Sequence, residues 1–318
     1  MEIRRRGIAA KQGQCKHPRT SRWTSPRVQE SSIMTHVSPP LIRFSRLDPE
    51  ARLGLTIGSN TTPSAVTCLL LTSTICGAIY GASYWFHEGE WGAVAWLYLT
   101  GFSGIPIPIT VLSVWCFVFL TLKALKIKAQ RAAFQIQFVP DDTAFVLSSS
   151  TADAIVDAID RAADEPNRFL FLARARSVLR IMRNLGRVSD VDEIITSRGH
   201  QDEATIDSGY TILRGFVWAI PVLGFIGTVV GLTQAMGRFG LALKAAGQDL
   251  DAVTQQLTGV LAGLDTAFIT TAEALIAVIF IHLMQTIVRR ADEQLLDDVR
   301  EACFHAIVSR VRIPKQEA

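Results

Sequence analysis

The sequence has no Cys-x-x-Cys pair, and its cysteines, Cys15, Cys68, Cys76, Cys116 and Cys303, follow no paired spacing. That excludes a disulfide framework and a zinc ribbon or finger. The three that lie in apolar runs read as small buried apolar residues. Also missing are HExxH, GxSxG and a phosphate-cradling glycine loop opening a soluble helix, so the reading is of a non-enzyme with no metal and no cofactor. The first residues are rich in Arg, Lys, Ser and Pro and lack an early apolar core, so they do not read as a secretory signal. Charge is scarce: 19% of residues are charged against 49% apolar, and mean hydropathy is +0.26. Soluble domains of this length usually sit below zero, so composition alone favours a membrane protein.

What is present is a set of long uncharged runs. No Asp, Glu, Lys or Arg occurs from Leu53 to His87, and residues 65–86 within it are long enough to cross a hydrocarbon core of roughly 30 Å as a helix. After the acidic pair Glu88 and Glu90, a second run extends from Trp91 to Leu122. Pro106 and Pro108 place the start of its helix near Ile107, with Trp91, Trp96 and Tyr98 suited to the interfacial belt. Residues 215–237 form a third run. Residues 252–288 form a fourth, which carries only Asp265 and Glu273. The fold class expected is an all-α membrane protein with four transmembrane helices and helical cytoplasmic extensions.

Charge asymmetry orients these spans. Residues 1–64 hold 11 Lys/Arg against 4 Asp/Glu, Lys123, Lys126, Lys128 and Arg131 follow the second span, and Arg289 and Arg290 follow the fourth. The opposite loops are poor in base, so both termini and the 123–213 segment are expected in the cytoplasm of a bacterial inner membrane. The expected divisions are a disordered basic tail over 1–52, with Met34 an alternative start, and an N-terminal hairpin over 53–122. A helical cytoplasmic segment over 123–213 follows, then a hairpin over 214–288 with helices near 215–237 and 257–288, and a C-terminal helix over 289–318. Ala152, Ile155, Val156 and Ile159 recur at helical spacing, as do Phe169, Leu172, Ala173, Val178, Leu179 and Met182. Leu295, Leu296, Val299, Cys303, Ile307 and Val311 keep a helical stripe beyond the fourth span.

The third span holds the densest pattern. Pro221, Gly224 and Thr228 share one face, and Gly227, Gly231 and Ala235 form a second stripe beside it. The fourth span repeats the logic with Gly259, Gly263, Ala267 and Thr271 at intervals of four, and Thr270 alongside. Small residues let helices approach closely in lipid. Two such faces that each carry a threonine suit a narrow polar path for a proton or sodium ion. Glu273 is a carboxylate near a helix centre, where such groups usually face a cavity. It reads either as a proton-sensitive group near the pore or as a hydrogen-bonding group that never titrates. Asp265 and His282 read as residues near the helix ends, and Gly77 and Gly81 of the first span as packing.

The string from Pro221 to Leu232, PVLGFIGTVVGL, resembles the Pro-x-x-Gly-x-x-Gly-Thr-Val-x-Gly signature of the MotA/TolQ/ExbB proton channel family. The string from Ala267 to Leu275, AFITTAEAL, resembles that family's second signature, with Ala274 in place of its Gly. Thr266 stands where ExbB-like chains have a glutamate, and Phe280 where a proline often follows. The resemblance covers roughly 210–288. It implies a homopentamer around a single-span MotB/ExbD/TolR-like partner that carries a membrane aspartate. It implies that Thr228 and Thr271 face that partner and that Pro221 shapes a hinge. Four spans with a cytoplasmic N-terminus look more like the MotA branch. The function expected is an ion channel subunit, a stator, coupling the proton motive force to movement. The basic tail reads as a solvated cytoplasmic flank that enforces topology, in preference to a contact with nucleic acid or anionic lipid; membrane lipid is an expected partner of the chain and nucleic acid is not. A non-conducting scaffold or sensor and a small-molecule permease are the competing readings.

Overall fold

The computed structural model describes residues 43–85, 104–136, 149–182, 188–245 and 250–307, all within the unit Pro39–Ala318. The tail before them, the patch at Glu88 and Glu90, the aromatic residues Trp91, Trp96 and Tyr98, Gly186 and Val311 lie outside the described residues. Every described element is helical: α1 (Phe44–Leu47), α2 (Pro49–Arg52), α3 (Ala65–Trp85), α4 (Pro106–Arg131), α5 (Ser149–Ala162), α6 (Leu170–Met182), α7 (Val188–Gly209), α8 (Thr211–Ala245) and α9 (Leu250–Ala306). Short 3-10 turns add Ala132–Gln135 and Pro166–Arg168.

Four of these stretches are long and apolar enough to cross a membrane, those built on α3, α4, α8 and α9. The 21 residues of α3 rise about 31 Å at 1.5 Å per residue, one hydrocarbon thickness. Two of its hydroxyls cost little in lipid because they return to their own helix: Thr74 donates to the Leu70 carbonyl and Ser83 to the Ile79 carbonyl, both at 2.9 Å. Pro106 opens α4, where its missing N–H would have no helical partner. The 57 residues of α9 run unbroken for about 85 Å, so the fourth span and the extension that follows it are one helix.

α8 and α9 form the principal helix pair, and α4 packs on both. Trp115 of α4 stacks on Phe119 with centroids 5.3 Å apart and meets Phe216 of α8 edge-on at 4.7 Å. α5 and α6 make an amphipathic pair whose apolar stripes close on each other. Ile155, Ile159, Leu172 and Leu179 are buried in one continuous core with the rest of the described chain. Gln130 joins this pair to α4: its amide donates to the Arg168 carbonyl at 2.7 Å, and its carbonyl accepts from the Leu170 N–H at 2.9 Å.

Two boundaries differ from expectation. The second membrane helix runs past Leu122 to Arg131, because Lys123 and Lys126 are buried against acidic partners rather than solvated. Residues 43–52 are ordered where a disordered tail was expected. Asp48 caps α2 by accepting from the Glu50 N–H at 2.9 Å. The Glu50 carboxylate accepts from the Gly58 and Ser64 N–H groups, each at 2.7 Å, and pairs with Lys126 Nζ at 2.6 Å.

One turn along α4, Lys123 Nζ meets Asp292 Oδ2 of α9 at 3.0 Å, and the Tyr210 hydroxyl donates to the same oxygen at 2.8 Å. Lys123, Asp292 and Glu50 have no solvent exposure, and Lys126 and Asp48 have 1%. A buried charge persists only when paired and hydrogen-bonded. This seam therefore fastens the segment before α3, the end of α4 and the extension of α9 to one another.

Candidate ion-conduction seam

The α8–α9 contact is built from small residues on both sides. A methyl group added at Gly231 would sit 2.5 Å from the Gly263 carbonyl oxygen, and one at Gly263 would sit 2.8 Å from the Ala235 nitrogen. At Gly227 it would overlap the Thr270 hydroxyl, and at Gly224 it would lie 2.7 Å from the Ala274 Cβ. Ala267 packs beneath Gly231, and Gly259 lies under the Arg238 stem. Backbone-to-backbone approach of this kind is the way helices associate where no hydrophobic force drives them.

The hydroxyls divide into three kinds. Thr270 is fully buried and donates to the Thr266 carbonyl at 2.9 Å, beneath Gly227. Thr271 is half-buried and reaches across the pair: its Oγ1 lies 3.2 Å from the Gly224 carbonyl and 3.0 Å from the Ala267 carbonyl of its own helix. Thr228 is half-buried and donates back to the Phe225 carbonyl at 2.6 Å. Thr271 therefore shares a face with Gly224, while no hydrogen bond joins Thr228 to Thr271. Pro221 lies inside α8, where it withholds the N–H that the Val217 carbonyl would accept.

Glu273 sits elsewhere. Two residues along an α-helix turn the side chain about 200°, so Glu273 and Thr271 point to opposite sides of α9. Thr110 Oγ1 of α4 lies 2.9 Å from Glu273 Oε1, within hydrogen-bond distance, and Glu273 Oε2 is buried without a hydrogen-bond partner. Asp265 and His282 are exposed on α9. Gly77 and Gly81 of α3 have open space where a side chain would go.

Sequence reasoning missed Thr110 as the partner of Glu273. It also missed the seam of Asp48, Glu50, Lys123, Lys126, Tyr210 and Asp292. The signal for Asp292 was present: it stands at an apolar position of the stripe Val288, Leu295, Val299, Cys303, all buried. A charge at such a position needs an opposite one.

The architecture is that of an all-α, multi-pass membrane protein whose closest helix contact is a stripe of glycines and threonines. Residues 162–301 match the model of the MotA/TolQ/ExbB proton channel family. The match runs from the end of α5 through most of α9, beyond the 210–288 stretch whose motifs carry the resemblance. It leaves out α3 and α4. With four apolar helices, it supports a proton-channel-type membrane protein, and the family is a channel family rather than an enzyme family. Comparison with curated proteins and with solved structures finds no match.

Proposed function

We propose that this chain is the ion channel subunit, for protons, of an inner-membrane complex that couples the proton motive force to movement of a single-span partner. The observation that carries the reading is the α8–α9 seam. There, glycines bring two backbones into contact and Thr271 reaches the Gly224 carbonyl of the other helix. One charge crossing the membrane releases roughly 2.3 kcal/mol per 100 mV, the scale available to move a partner.

Within one protomer each of these threonine hydroxyls is already bonded to a helix carbonyl, so a conducting path needs further walls. Copies of this chain in a ring, a pentamer by the family resemblance, supply some. A partner helix bearing a membrane aspartate supplies the exchanging carboxylate. The apolar faces at Trp218, Phe225, Phe268 and Phe280 are exposed in the single chain and suit lipid or neighbouring helices. Thr228, Thr271 and Thr270 are the residues assigned to the path, with Pro221 as the point of flexure. Both termini are assigned to the cytoplasm by the positive-inside rule.

The test is partner-dependent proton flux into proteoliposomes. Thr228→Val and Thr271→Val are each expected to reduce it. Wild-type flux in both variants overturns the assignment.

A further inference from the structure

When Glu273 is ionised, the Thr110 hydroxyl has one hydrogen for two acceptors. Thr110 Oγ1 lies 2.9 Å from Glu273 Oε1 and 2.9 Å from the Pro106 carbonyl oxygen. A hydroxyl carries one hydrogen, and a backbone carbonyl can only accept. If Thr110 donates to Pro106, as helical threonines do to the carbonyl one turn back, two oxygens face each other at hydrogen-bond distance with no hydrogen between them. Glu273 supplies the missing hydrogen if its carboxyl is neutral: its O–H donates to Thr110 Oγ1, and Thr110 donates to Pro106.

Other observations point the same way. Glu273 Oε2 is buried with no partner, a heavy penalty for half of a carboxylate and a lighter one for the carbonyl oxygen of a neutral acid. Among the described residues no cationic side chain pairs with Glu273, whereas Asp292 and Glu50 at the buried charged seam each hold a lysine. The groups that face it are Tyr80 of α3, with Cys76 behind it, and the hydroxyls of α4. The Tyr80 hydroxyl is buried beside Thr110 and close enough to Glu273 to interact with it electrostatically. One turn beyond Thr110, Ser113 holds another buried hydroxyl without a partner.

We propose that Glu273, Thr110 and Tyr80 form a proton-binding site inside a single protomer, between α3, α4 and α9 and separate from the α8–α9 seam. The proton comes from a hydronium ion, whose O–H bond breaks to leave water while a carboxylate lone pair forms the new O–H bond. A metal ion is a poor occupant: hard cations take about six oxygens, and Thr110 is already committed to Pro106. Occupancy ties the N-terminal hairpin to the channel helix. The proposal rests on the membrane reading only for the depth of these helices in lipid, and it needs neither partner nor flux.

The experiment is infrared spectroscopy of the purified full chain in phosphatidylcholine nanodiscs at neutral pH. A carbonyl-stretch band of a protonated carboxylic acid is expected, absent in Glu273→Gln, shifted in Thr110→Val and retained in Thr110→Ser. A Glu273→Gln spectrum that differs from wild type only in the ionised-carboxylate bands overturns the proposal. So does melting raised by sodium but not by choline in wild type and indifferent to both in Glu273→Gln. If Glu273→Gln does not fold, the Thr110→Val and Thr110→Ser pair decides: an acid band that moves in the first and not in the second supports the site, and no movement in either overturns it. Normal flux in the threonine-to-valine channel variants sinks the conduction path and leaves this site standing.

Discussion

Removing the carboxylate of Asp292 exposes how the buried charged seam is held. Asp292 and Lys123 are both fully buried, and one oxygen of Asp292 receives Lys123 Nζ at 3.0 Å and the Tyr210 hydroxyl at 2.8 Å. In Asp292→Ala the ammonium keeps only the Thr61 hydroxyl at 3.5 Å and the face of the Tyr210 ring at 4.5 Å. Breaking one side of a buried pair costs about 3–5 kcal/mol, because the other charge remains stranded. That is about a hundred- to a few-thousand-fold in the unfolding constant, since each 1.4 kcal/mol is tenfold. At about 2–4 °C per kcal/mol, the melting temperature in detergent should fall by about 6–20 °C. The double variant Lys123→Met with Asp292→Leu strands neither charge, and pairs replaced this way are often neutral or better. It should recover most of the loss, short of about 1–3 kcal/mol for the unpaired Tyr210 hydroxyl, which Tyr210→Phe removes. If Asp292→Ala melts with wild type, or the double variant is worse than the single, the charges are not buried against each other and the reasoning fails.

The other tests are quicker. Gly231→Leu forces α8 and α9 apart at the point where a methyl group already meets the Gly263 carbonyl at 2.5 Å. It should cost at least the about 1–3 kcal/mol of an overpacked core, seen as lost yield of folded protein, while Gly77→Leu, with open space around it, should fold normally. Glu50→Ala removes the acceptor of two loop N–H groups and the 2.6 Å partner of Lys126. Limited proteolysis should then cut between residues 53 and 64, and protection equal to wild type would argue against Glu50 holding the segment before α3. Burial pushes the Cys303 thiol up to about 12, so it stays protonated at every working pH below that. It should resist maleimide in the native protein and react only after unfolding.

Legibility followed the kind of force involved. The four spans are visible because bilayer thickness imposes a length and a composition that no other element satisfies together. The seam of small residues is visible because backbone contact needs glycine at fixed intervals, and Gly227, Gly231 and Gly263 have no alternative. Pairings between distant parts of the chain were not visible. Lys123 and Lys126 satisfy the positive-inside pattern equally well in water or against Asp292 and Glu50, and only the fold distinguishes the two. Glu273 is the instructive case. Proximity in sequence grouped it with Thr271, yet the helical period alone places it across the helix from that residue, toward whatever packs on the far side. That α4 packs there, and presents Thr110, required the structure.

The distribution of helix breakers between α8 and α9 divides their mechanical roles. From Thr271 to Asp292, α9 contains neither glycine nor proline, and it runs as one helix through both. These 21 intervals span about 32 Å, so a displacement at Thr271 reaches the buried Lys123–Asp292 pair as a rigid rotation or shift of the rod. α8 has Pro221 and several glycines over the same depth, so compliance belongs to it. A pair of glycines at Ile279 and Phe280 should therefore soften α9 between the two sites without touching either contact. Spin labels beside each site would report it. A broadened distance distribution relative to wild type is expected, and an unchanged width would mean that neighbouring helices, rather than the continuity of α9, set its stiffness.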